Sequence, residues 1–259
     1  LAAVRVRHGR AGVIRGGGAT GGTAEVDRGR DGRTRRRVER QGFSLVAVGG
    51  DWPDAARIDD YVRHKARRPG RGPAFARFPA WMWRNEDVAA FVHWLHRHNE
   101  SRMADQRVSF HGLDIYSLGQ SIQAVLAYLD TRNPQAATLA RRRYGCLTPW
   151  QDDPALYGQM AGGAQDDSCE NAAVAQLRDL LAQRLHILRD DGEAWFDAVQ
   201  NARVVRAAEQ YYRPMYPGPH ESWNLPDRHM FATLQHLPAH PGGSDKTSLW
   251  PHHSPLVKA

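Results

Sequence analysis

His93, His96 and His98 fall in one helical stretch, and His93 and His96, at i and i+3, share a face. Imidazoles so spaced can ligate a transition metal. No carboxylate stands at a ligating spacing beside them, and solvated surface histidines are the other possibility. His252-His253 follow Trp250-Pro251. They could bind a metal, keep a structural role or hold a place in a reaction site. Asp51 and Asp114 each follow a short apolar run, and each is either a site carboxylate or a helix cap. Arg203 and Arg206 lie on a helix whose other face is apolar, so they line a site or face solvent. The spacing of Trp81, Trp83 and Trp94 suits a core better than a substrate platform, and Tyr211-Tyr212 is most simply packing.

The elements that position these residues follow from periodicity. Phe43 to Val48, Val108 to Leu113 and Thr247 to Trp250 are short apolar runs that predict buried strands. Ala11-Gly12-Val13-Ile14 is a fourth, weaker candidate. Asp51-Trp52-Pro53-Asp54 reads as a helix entry with proline in the first turn. Leu118, Ile122, Val125, Leu126 and Leu129 predict a helix, and Asn133-Pro134 opens another that ends near Tyr144. Glu170 to Leu188 and Glu193 to Tyr212 are the remaining long helical patterns, the last ended by prolines. Short strands between long helices predict an α/β fold: a mostly parallel sheet flanked by helices, with a large helical insertion. In such sheets ligands bind beyond the carboxyl ends of the strands. Here those ends are Gly49-Gly50-Asp51, Asp114 and Pro251-His252-His253, so the three runs should lie adjacent and parallel around one cleft.

Composition limits the function classes. The 259 residues are 41% hydrophobic and 24% charged, which suits a globular protein, and no apolar run approaches a membrane span. The net charge of +7 resides in the first 40 residues, where eleven arginines face four acids. The remaining 219 residues balance 24 basic against 24 acidic groups, so nucleic acid is not an expected partner. Residues 1–42 hold ten glycines and no aromatic residue, which predicts a poorly ordered Arg/Gly-rich part with residues 1–12 mobile. Cys146 and Cys169 are too few for a disulfide framework or a four-cysteine zinc site, and a reducing cytoplasm is the default location.

The motifs add a family. In order, the chain carries Gly42-Phe43, Val46-Ala47-Val48-Gly49-Gly50-Asp51-Trp52-Pro53-Asp54-Ala55, Phe78-Pro79-Ala80-Trp81-Met82-Trp83-Arg84-Asn85, Phe91-Val92-His93-Trp94-Leu95, Gly112-Leu113-Asp114-Ile115-Tyr116-Ser117, Gln200-Asn201-Ala202-Arg203, Glu209-Gln210-Tyr211-Tyr212-Arg213 and Ser222-Trp223-Asn224-Leu225. This series, running from Gly42 to Trp250, resembles the erythromycin esterase family. The resemblance implies an ester or lactone hydrolase acting on a macrolide-type small molecule, with no cofactor and no membrane partner. It divides the chain into a degraded part at 1–42 and an esterase-like domain at 43–259, incomplete at its C-terminal end.

Ester hydrolysis needs a base to activate water and donors for the developing oxyanion. The family pattern supplies two glutamates, four histidines and an arginine, and most of these positions are replaced here. Counting back from Gly42, the family's early glutamate falls on Gly18, its histidine base on Gly21 and a second histidine on Ala24. Gly17, Ala19, Gly22, Thr23 and Glu25 agree, as do Arg28, Thr34 and Arg35 in the following helix. The second glutamate is replaced by Gly49, the arginine after Asn224-Leu225 by Pro226, and the last histidine by Pro255. His252 alone keeps its place and is the expected catalytic residue. His8-Gly9 is an alternative position for the base, but Arg5, Arg7 and Arg10 around it do not fit. The resemblance adds Arg28, Asn224 and Asp227 to Asp51, Asp114 and Arg203 as site-lining residues. Activity is expected to be impaired. A non-catalytic binding protein or a damaged gene product are the alternatives.

Overall fold

The computed structural model describes residues 5–8, 11–15, 24–66, 74–75, 80–161, 169–182, 192–214, 224–239 and 246–250. They form two compact units: residues 1–113 with 234–259, and residues 114–233.

The first unit is built on a five-stranded sheet. Its strands are β1 (Arg5–His8), β2 (Ala11–Arg15), β3 (Leu45–Asp51), β4 (Ser109–Asp114) and β5 (Lys246–Trp250), in the order β1-β2-β5-β3-β4. β2 and β3 both run parallel to β5, with Ile14 and Val46 opposite Ser248, while β1 folds back antiparallel on β2. At β4, the Ser109 N–H donates to the Ser44 carbonyl at 3.0 Å, and Gly112 lies against Gly50 and Asp51. Residue numbers therefore rise together along β3 and β4, and these strands too are parallel. The three expected strands are adjacent and parallel, and the weak candidate at 11–14 is a full strand beside them.

Gly112 sets the spacing of β4 from β3. A Cβ there would stand 2.5 Å from the carbonyl oxygens of both Gly50 and Asp51, so only glycine permits the approach.

Helix α1 (Ala24–Gln41) connects β2 to β3 across β5. With β1 and β2 it occupies most of the segment expected to be poorly ordered, residues 1–42. Its buried stripe is Asp27, Arg30, Thr34 and Val38, at spacings of three and four. Three of those four are polar, so hydrophobic periodicity gives no sign of the helix. Each polar group has a partner: Arg30 donates to Asp27, Thr34 bonds Ser248, and the Trp250 indole N–H donates to Thr34 at 2.8 Å. Gly42, at φ +66°, ends the helix in the left-handed conformation.

Helices α2 (Trp52–Val62), α3 (Ala80–Trp83) and α4 (Glu86–Glu100) complete this unit with the end of the last helix. Val46, Val48, Phe110, Trp250, Phe91, Leu95 and Trp83 form its core, and the Phe91 and Trp250 rings lie 4.6 Å apart. Trp83 is core, as its spacing suggests. The side chain of Trp81 lies outside the described residues.

The second unit is helical: α5 (Leu118–Arg132), α6 (Pro134–Tyr144), α7 (Pro154–Ala161), α8 (Glu170–Ala182), α9 (Gly192–Tyr212) and most of α10 (Leu225–His236). This is the expected helical insertion. Asn133 caps α6 through the Ala136 N–H, and α9 packs along α5 and α8. Residues 183–188 of the expected 170–188 helix lie outside the description. Cys146 and Cys169 are joined in a disulfide with Cα atoms 6.1 Å apart. Two cysteines make no framework, yet α6 and α8 bring this pair within bonding reach.

Candidate functional site

In the first unit the strand-end rule points to the end of β3. Gly49 and Gly50 are buried there, and Asp51 is half-buried at the N-cap of α2. The Asp51 carboxylate makes no capping hydrogen bond, so of the two expected roles the cap is not the one it performs. Trp52 is buried and stacks on His111 of β4 at 5.4 Å. Above Gly50 sit two aromatic rings. A Cβ on Gly50 would lie 2.8 Å from the Phe75 ring and 3.2 Å from the indole nitrogen of Trp83. That indole N–H is sealed from water and has no hydrogen-bond partner. Phe75 holds φ at +52°, a strained backbone for a side chain of its size. The aromatic pair therefore fills the space over the end of β3 and brings one unused donor to it.

The Trp-Met-Trp-Arg-Asn motif serves this region through Asn85. Its side-chain oxygen accepts from Val88 N–H at 2.9 Å and so caps α4. Its amide group donates to Asp27 Oδ2 and to the Met82 carbonyl, each at 3.1 Å. Burial pushes the Asp27 carboxyl above its ordinary range, opposed by Arg30 and the Asn85 hydrogen bond. Arg28, expected to line the site, is 73% exposed on α1 and pairs with Asp87 at 3.2 Å. Arg35 pairs with Asp31 and lies over the Trp94 ring.

A second buried carboxylate, Asp59, ties α2 to β4. It accepts from the Phe110 N–H at 2.9 Å and from Lys65 at 2.9 Å. Burial alone would raise its pKa, but Lys65, His111 and Arg63 outweigh burial and hold it at about 2. It is a fixed anion rather than a proton carrier. Sequence reading missed it, and only its place among Arg57, Arg63 and Lys65 hinted at pairing.

The α4 histidines are on or near the surface. His96 stacks on Tyr61 and donates through Nδ1 to the Tyr61 carbonyl at 2.8 Å, while His93 bonds the Tyr61 hydroxyl. No grouping among the described residues could hold a metal ion. The i, i+3 pair clasps the end of α2 instead.

In the second unit the candidates are polar groups on buried faces. Asp114 is buried and accepts from the N–H of Ile115 at 2.8 Å. The N-cap of α5 is Ser117, so Asp114 is not a helix cap. Tyr116 meets Tyr211 edge-on at 5.6 Å, and burial, with Asp114 next, pushes its phenol well above the ordinary range. On α9, Asp197, Gln200 and Asn201 are buried and Arg203 is half-buried. Burial, with Arg206 close by, lowers the Arg203 pKa. Both polar atoms of Gln200 are sealed from water without a partner, and so is Asn201 Oδ1. Neither amide was singled out from sequence, although both stand in the Gln-Asn-Ala motif. Near the end of α9, Glu209 is fully buried and accepts from Tyr157 at 2.9 Å and Arg213 at 3.0 Å. Asn224 is exposed, and Asp227 is half-buried with one oxygen sealed and unpartnered. His252, and the alignment positions Gly18 and Gly21, lie outside the described residues.

A mostly parallel sheet flanked by helices, with a helical insertion in the chain, defines the protein as an α/β protein. The sequence pattern of the erythromycin esterase family matches residues 38–259, and the chain belongs to that family. Three solved structures share the fold. A protein titled for succinoglycan biosynthesis is 18% identical with a TM-score of 0.74, and a Bacillus cereus protein is 19% identical at 0.76. A mutant of the erythromycin esterase EreC in its open conformation is 12% identical at 0.65. Each alignment covers 94% of this chain, which spans 57%, 57% and 61% of those chains respectively. At these identities the likeness shows the fold alone. No described helix is long and apolar enough to cross a membrane.

Proposed function

We propose that this chain binds a macrolide-type ester or lactone at the end of its β3 strand and hydrolyses it feebly or not at all. The observation that carries this reading is the end of β3 itself. Gly49 stands where the family pattern places a glutamate, and a glycine projects no carboxylate to take or hold a proton. Phe75 and Trp83 occupy the space over the adjacent Gly50. Losing a positioned base removes a factor of ~10²–10⁴ from a hydrolytic rate. His252 keeps its place in the family pattern, but both glutamates of that pattern are replaced, by Gly18 and Gly49.

The unused Trp83 indole N–H favours retained binding over a dead fold. A sealed donor costs roughly 1–3 kcal/mol, and a ligand carbonyl is the acceptor it lacks. Mass-spectrometric assay of purified protein with erythromycin is expected to show no ring-opened product, while equilibrium dialysis shows retention of intact erythromycin. Turnover that is abolished by His252→Ala would overturn the catalytic half of this reading. Absence of retention would overturn the binding half.

A cytoplasmic location rests on composition. The Cys146–Cys169 bond is what an oxidising compartment maintains. Thiol trapping in intact cells decides between them: alkylated cysteines support the cytoplasm, and a protected pair refutes it.

A further inference from the structure

The second unit contains a cavity of about 390 Å³ that none of the candidate site residues lines. Its floor is Ile122 and Leu126 of α5, and Tyr144 of α6 also lines it. Its polar lining is Gln123, Asp130, Arg141, Thr148 and Gln151. The walls are fixed. Arg141 grips Asp130 with two bonds of 2.6 and 2.9 Å, tying α6 to α5. Gln123 donates to Gln151 at 3.2 Å, and Thr148 donates to the Tyr144 carbonyl at 3.2 Å. A Cβ on Gly119 would stand 2.9 Å from the Gln151 carbonyl oxygen, so the turn carrying Gln151 is seated directly on α5. The disulfide at Cys146 anchors the same turn to α8.

Beneath this lining one buried group is unpartnered. Tyr144 is 1% exposed, and its hydroxyl has no hydrogen-bond partner. Burial holds the phenol above its ordinary range, so the group is a neutral hydroxyl. The chemistry of the lining selects a ligand class. The Arg141 and Asp130 charges cancel, so no ion is favoured. What remains is a set of planar forks, two amides with a carboxylate and a guanidinium, around an aliphatic floor. Planar forks pair with adjacent hydroxyls, and an aliphatic floor takes the C–H face of a ring. The volume lies near the lower end of the ~300–1,000 Å³ usual for small-molecule pockets, enough for one or two such rings.

We propose that this cavity is a binding site for a neutral, hydroxyl-rich ring, a pyranose unit, independent of the β3 strand end. The probe is methyl β-D-glucopyranoside, titrated into the ¹⁵N-labelled full chain and followed by NMR. Saturable shifts are expected at the side-chain amides of Gln123 and Gln151, with millimolar affinity. Arg141→Ala, at an exposed position, is expected to fold normally and weaken binding about tenfold. Tyr144→Phe is expected to leave binding unchanged and thermal stability unchanged or raised, since it removes an unpartnered hydroxyl sealed from the cavity. Absence of saturable shifts would overturn the proposal. So would shifts that persist unchanged in Arg141→Ala, or tighter binding of sodium acetate than of the glucoside. None of these outcomes depends on macrolide binding, so the two readings stand or fall separately.

Discussion

Replacement of Asn85 separates a local role from a tertiary one. If Asn85 only caps α4, alanine costs about 1 kcal/mol and aspartate almost nothing, because the two residues cap equally well. The structure gives Asn85 a second task, since its amide donates to the buried Asp27 carboxylate at 3.1 Å. Loss of a hydrogen bond to a buried charge costs ~1.5–3 kcal/mol. Asn85→Ala should therefore destabilise by about 3 kcal/mol in all. Asn85→Asp keeps the cap but loses the donor and sets a second carboxylate against Asp27, so it should cost about as much as alanine. An acid whose folded pKa is raised stabilises fully below its unfolded pKa and loses that contribution as pH rises from there through its folded value. The Asn85→Asp deficit should thus be largest at neutral pH and shrink toward pH ~4 as the pair takes up a proton. Urea unfolding at both pH values measures this, with the midpoint shift multiplied by an unchanged slope. An Asn85→Asp protein within ~0.5 kcal/mol of the parent at neutral pH would refute the reasoning.

Three further outcomes are expected. Gly112→Ala drives a methyl into two backbone carbonyls at 2.5 Å, and should cost at least ~3 kcal/mol or prevent folding, read by near-ultraviolet circular dichroism. Asp59, held at about 2 against an ordinary 3.8, stabilises above pH ~4. It loses that contribution, roughly 2 kcal/mol, as pH falls toward ~2, and Asp59→Asn should flatten acid unfolding over that interval. Reduction, or Cys146→Ser, frees a loop spanning a sequence separation of 23 and should cost about 3 kcal/mol on the chain-entropy account, measured by calorimetry with and without dithiothreitol.

Much of the architecture was legible because apolar periodicity carried it. Phe43 to Val48, Val108 to Leu113 and Thr247 to Trp250 were legible because their strands are buried: β5 and β3 lie inside the sheet, and β4, last in the strand order, is buried along its whole length. Asn133-Pro134 starts a helix for local reasons, and does so here. Helix α1 was not legible because its buried stripe is Asp27, Arg30 and Thr34. Those residues mark a solvated segment until β5 and Asn85 supply their partners. Arg28 shows the converse: motif agreement suggested a site, and the helix turns it to solvent beside Asp87.

The sequence by itself determined the three buried strands, the long helices with apolar faces, the family pattern and the glycines that stand in place of its acids and bases. These are properties of single positions or short periods, and they need no knowledge of what lies opposite. The tertiary structure alone decided which polar groups are sealed with partners and which without. Asp59 became a fixed anion because Lys65 and a β4 amide reach it. Tyr144, Trp83 and Gln200 keep unpartnered groups because the chain around them places none within reach. Burial and pairing depend on residues far apart in the chain, and the free energy of a polar group changes sign with them.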